Sequence, residues 1–136
     1  MLLDKFVPEY DFGEVHSTRL SAPPERALEE INRIRQARYV EQNNFKQHYV
    51  ALSETLRVYA MSAESDWSTD LTTEELAPRL KRRPDAAPLL KLLRSSDNVK
   101  FARYVPAAKE ATADLDAAED WIRNFNAPLQ PTAEAA

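Results

Sequence analysis

Residues 43–59, NNFKQHYVALSETLRVY, decide the fold class. Phe45, Tyr49, Leu52, Leu56 and Tyr59 recur at spacings of four, three, four and three, the period of a helix with one apolar face. Asn43 and Asn44 break whatever precedes and can cap this helix, because an Asn side-chain oxygen accepts from the unsatisfied N–H groups of a first turn. An apolar helical stripe must be covered by other elements. The flanking sequence offers further helices to do it.

Upstream, Pro23-Pro24 suits a helix entry, where a missing N–H costs least, and Ala27, Leu28, Ile31 and Ile34 then share a face, which predicts a helix over 24–41. Downstream, LTTEEL at 71–76 is a capping box: the Thr72 hydroxyl accepts from the Glu75 N–H, Glu75 reaches back, and Leu71 staples to Leu76. Pro78 falls inside that pattern, so the third helix is expected to be short or kinked. Asp85 is placed to cap a fourth, in which Leu89, Leu90, Leu92 and Leu93 crowd three sides of the cylinder and imply near-complete burial. Ser95-Ser96-Asp97 is expected to interrupt it before VKFARY. A fifth helix over 106–125 carries Ala108, Ala111, Leu115, Ala118, Ile122 and Phe125 at alternating spacings of three and four, with Asp114, Asp116, Glu119 and Asp120 off the seam as a solvated acidic face. The expected architecture is therefore all-α: a single bundle of five or six helices over 23–126, its core formed by the second, fourth and fifth. Residues 1–22 read as a loosely attached extended segment with a strand candidate through Val15 and Leu20, which docks on the helices or pairs with another copy, and 127–136 as a disordered tail.

Composition narrows the function. The chain has 136 residues, one glycine, no cysteine, two histidines and a net charge of -4. The single glycine, Gly13, excludes Gly-rich phosphate loops, and the absence of cysteine excludes thiolate nucleophiles and Cys-based metal sites. His16 and His48 lack the spacing of a metal pair, so neither metal nor cofactor is expected. The negative balance opposes a nucleic-acid role. The charged N-terminus lacks a signal-peptide stretch and nothing approaches the roughly 18 apolar residues of a membrane span, which leads to a cytoplasmic expectation.

Three groups of residues merit a functional reading. His48, beside Phe45 and Tyr49, could serve as a base, but no nucleophile or carboxylate is placed by sequence to complete a triad, and a histidine flanking the core is the plainer alternative. Arg79, Lys81, Arg82 and Arg83 form a basic run beside Pro78 and Pro84. It reads as a solvated helix end, as a contact patch for an acidic protein partner, or, without interleaved aromatics for base stacking, least well as a nucleic-acid contact. Arg57, Lys100 and Tyr104, with Arg103 and Phe101 nearby, read as a structural network in which long cationic side chains lie over apolar surface. No catalytic residue is assigned.

Three strings in order, FKQHYVALSETLRVY, LTTEEL and VKFARYVP, resemble the cytoplasmic C-terminal helical domain of BatD-type aerotolerance proteins and their small relatives encoded beside MoxR-type AAA+ ATPases and von Willebrand factor A proteins. The matching positions are Phe45, Tyr49, Leu52, Ser53, Leu56, Arg57 and Tyr59, then Thr72 to Leu76, then Lys100, Phe101, Ala102, Tyr104 and Pro106, within residues 25–126. The resemblance implies a non-catalytic accessory or interaction module whose partners are the ATPase or the von Willebrand factor A protein. Members of that family carry a transmembrane helix ahead of the domain; here the place is held by residues 1–26, whose opening resembles the first strand and turn of START-type domains. A helical bundle that binds a small ligand between its helices is the alternative expectation, and an enzyme the third.

Overall fold

The computed structural model describes the backbone of residues 22–135 and the side chains of residues 22–125. The strand candidate, His16 and residues 1–21 of the START-like opening lie outside the described residues. Within them the chain is all-α: α1 Pro23–Ala37, α2 Phe45–Ala63, α3 Thr73–Leu80, α4 Ala87–Phe101 and α5 Ala108–Ala135, with a 3₁₀ turn at Pro84–Ala86 leading into α4.

Local chemistry sets the starts. The Asn44 side chain accepts from the Gln47 N–H at 3.3 Å and opens α2. At α3 the capping box forms in full, with Glu75 N–H to Thr72 Oγ1 at 3.1 Å and Thr72 N–H to Glu75 Oε1 at 2.8 Å. Pro78 is tolerated inside α3 because that helix has only eight residues and few hydrogen bonds for the missing N–H to forfeit.

The stripes pack where their periods place them. α2, α4 and α5 pack on one another, α1 lies against α2 and α5, and α3 covers α4. Leu52, Leu56, Leu89, Leu93, Ala111, Ala118 and Ile122 are buried at the centre. All four leucines of α4 are buried. At one end, Trp121 stacks on Phe125 at 4.7 Å between ring centres, with Tyr59 edge-on to Trp121 and Trp67 tilted against Phe125.

Several local expectations are corrected. The first helix ends at Ala37, not 41, because Arg38 takes a left-handed backbone (φ 57°) and a tight turn follows. Ser95-Ser96-Asp97 does not interrupt α4: the Ser96 hydroxyl donates to the Leu92 carbonyl at 2.9 Å, which satisfies the polar group inside the helix. Asp85 does not cap α4; it sits in the 3₁₀ turn, paired with Arg83, while its carbonyl accepts from Trp121 Nε1 at 2.8 Å. Ala108 is exposed, being the first residue of α5, and that helix continues past Phe125 through most of the 127–136 stretch to Ala135. The acidic side of α5 is not simply solvated either. Asp116 and Glu119 receive Arg35 of α1 at 2.9 and 3.0 Å, and Asp114 accepts from the Tyr49 hydroxyl at 2.5 Å.

Candidate functional site

The basic run divides when folded. Arg79 donates to the Asp66 carbonyl at 2.9 Å. Arg83 grips both oxygens of Asp85 at 3.1 and 3.0 Å, reaches Glu64 at 3.2 Å, and lies over the rings of Phe125 and Trp67 at 5.0 and 5.8 Å. These carboxylates hold its guanidinium further toward the charged form, with the Asp85 hydrogen bonds the largest cause. Arg83 thus closes the aromatic end of the bundle, and the expectation that the whole run stands clear as a contact patch is corrected on that point. Lys81 and Arg82 are exposed and make no ion pair with any described residue.

Lys81 borders a cleft of about 530 Å³ between the end of α3 and the outer face of α4. Its floor is apolar, with Leu80, Ala86 and Leu90, and its walls carry Lys81, Arg83, Lys91 and Arg94. No carboxylate lines it. Arg94 is tied to Glu74 by two bonds of 3.0 and 3.2 Å, and these hold the Glu74 carboxyl below its ordinary range. Lys91, like Lys81, is exposed and unpaired among the described residues. Lys91 and Arg94 were not among the residues that the sequence singled out. The signal was present as a polar stripe on α4, Lys91, Arg94 or Ser95, and Asn98, beside the leucine faces.

The other two groups do not join this cleft. His48 is buried, with Nε2 3.0 Å from the Ala111 carbonyl and the ring edge-on to Tyr49. Burial lowers its pKa below the ordinary 6.5. Burial likewise raises the Tyr49 phenol, and the hydrogen bond to Asp114 adds to it. Arg57 donates to the Leu71 carbonyl and to Thr73 Oγ1 at 2.5 and 2.9 Å, which pins the chain just ahead of α3 to α2. Lys100 donates to Ser53 Oγ at 2.9 Å, lies 3.9 Å from Asp97 and is held below the ordinary lysine range by burial. Tyr104 is half exposed in the α4–α5 connection and donates to Glu110 at 2.8 Å, with no bond to Arg57 or Lys100. The three are not one network: Arg57 and Lys100 brace the α2 side, and Tyr104 belongs to the start of α5. Among the described residues no group of three His, Asp or Glu is placed to hold a metal ion, and no helix is long and apolar enough to cross a membrane. Compared with protein-family models, with curated proteins and with solved structures, the chain has no match in any of the three.

Proposed function

We propose that this protein is a non-catalytic interaction module of the cytoplasm that docks an acidic segment of a partner protein in the cleft between α3 and α4. One observation carries the reading: a chain of net charge -4 lines one apolar-floored cleft with four cations and no carboxylate, and two of the four, Lys81 and Lys91, make no ion pair with a described residue. Such a surface speeds encounter with an acidic partner and fixes its register, while the leucine floor supplies burial. Lys81 and Lys91 lead in this role because neither makes an ion pair with a described residue, Glu74 acting on Lys81 only at longer range, whereas Arg83 and Arg94 are engaged within the fold. The buried His48 and Tyr49 and the partly buried Lys100 hold helices together, which fits a scaffold better than a catalytic centre.

The partner class follows from the resemblance of the three strings to BatD-type domains. It is a MoxR-type AAA+ ATPase or a von Willebrand factor A protein, with self-association a separate outcome to be scored. The test is a biosensor measurement of this chain against both purified proteins at two ionic strengths, with Lys81→Glu/Lys91→Glu as the variant and a melting curve as control. The expected result is slower association and weaker binding of the variant, chiefly at low salt, at an unchanged melting temperature. Unaltered binding by the folded variant removes the cleft from the interface, and no binding by the parent chain removes the partner class.

A further inference from the structure

Residues 6–15, FVPEYDFGEV, carry Glu9, Asp11 and Glu14 and no Lys or Arg, interleaved with Tyr10, Phe12 and Val15. They precede the described residues, which begin at Ala22. In an extended chain neighbouring side chains leave on opposite sides, so a run that alternates acid with aromatic offers one charged and one apolar edge. The cleft between α3 and α4 presents the complement. Lys81 and Lys91 stand on its walls, and Pro84 and Ala87 are exposed beside its leucine floor.

The chain also enters the bundle on the right side for this run to reach the cleft. Pro23 at the start of α1 and Ser62 near the end of α2 line one groove together. Two residues on, Glu64 accepts from Arg83 at 3.2 Å, and Arg83 lines the basic cleft. The start of α1 therefore lies at the Arg83 end of that cleft. The stretch from Glu14 to Ala22 spans up to about 26 Å when extended, against packed helix axes about 8–10 Å apart. The groove beside Pro23 is nearer but suits an acidic run less well, because Glu30 and Glu54 line it against Arg26. A tethered segment has an effective concentration on the order of millimolar, so modest complementarity fills the cleft and an outside acidic partner has to displace it.

We infer, resting on the reading of this cleft as a dock for acidic segments, that its resident occupant is residues 9–15 of the same chain, acids paired to Lys81 and Lys91 and aromatic rings on Pro84 and Ala87. The test uses the full chain, whose lack of cysteine lets Ser17→Cys carry a single nitroxide spin label beside the acidic run. The label broadens the amide signals of Leu90, Lys91 and Arg94 more than those of Val50, Glu54 and Val58 in the α1–α2 groove. Lys81→Glu/Lys91→Glu abolishes that broadening, Glu9→Lys/Asp11→Lys/Glu14→Lys does the same, high salt reduces it, and combining the two charge reversals restores it. Mixing spin-labelled chains with isotope-labelled chains that lack the nitroxide gives none, because the contact is made within one chain. The inference is overturned by broadening centred on the α1–α2 groove, by broadening that arises only between chains, or by broadening that survives either charge reversal. Failure of the combined variant to restore it at the parent's melting temperature overturns it too. The partner reading is scored apart. An ATPase or von Willebrand factor A protein that binds through Lys81 and Lys91 while the label stays away from α4 sinks this inference alone, and an occupied cleft that neither protein enters sinks only the partner class.

Discussion

Replacing Arg83 by alanine separates structure from surface charge within a single basic run. Its guanidinium makes paired bonds to Asp85 at 3.1 and 3.0 Å and one to Glu64 at 3.2 Å, with the arginine side chain 30% exposed. Ion pairs at this exposure contribute about 0.2–1 kcal/mol each. The position over Phe125 at 5.0 Å and Trp67 at 5.8 Å adds about 0.5–1 kcal/mol. These contacts share one side chain and do not sum independently, so Arg83→Ala is expected to cost about 2 kcal/mol. For a domain of this size that lowers the melting temperature by about 8 °C. Lys81→Ala and Arg82→Ala, two and one residues away, should stay within about 0.5 kcal/mol of the parent. Urea unfolding of the three variants at low salt and at 1 M salt is the assay. High salt shortens the screening distance to about 3 Å and removes most of the ionic share, so the Arg83→Ala penalty should shrink toward the ring contribution without vanishing. An Arg83→Ala variant as stable as the parent, or a Lys81→Ala variant equally damaged, would refute the division of the run into a structural arginine and free cations.

Two further outcomes follow from the core. Leu52→Ala and Leu115→Ala each remove a buried side chain from the α2 and α5 stripes and should cost about 2–5 kcal/mol by urea unfolding; a change within error would place the packing face elsewhere. His48 has a folded pKa below its ordinary 6.5, so between the two values the unfolded chain binds the extra proton. Stability from keeping it neutral is therefore full above 6.5 and is lost as pH falls through that value toward the lower folded pKa. His48→Gln should flatten the stability profile below neutrality, and an NMR titration showing His48 at or above 6.5 would contradict its burial.

What could be read from the chain alone is what neighbouring residues settle among themselves. A cap forms between Thr72 and Glu75 whatever the remainder does, and the stripe from Tyr49 to Tyr59 is fixed by helical geometry, so helix class, three helix starts and the buried faces were legible. Reading failed where a polar residue found its partner through context. Ser96 looked like a break, but its hydroxyl turns back on Leu92 in a helix already held by four buried leucines. Asp85 looked like a cap, and the packing of Trp121 and the pull of Arg83 assigned it another part.

Only the tertiary structure decided which cations are free. Arg79, Lys81, Arg82 and Arg83 are alike as a string, and the difference between them is made by Asp66, Glu64 and Phe125, brought in from other elements. The cleft has the same origin: Lys81 and Lys91 line it together because α3 folds back on α4. Helical period records which side of a residue turns inward; what it meets there depends on how helices distant in sequence cross, and that information is held by packing.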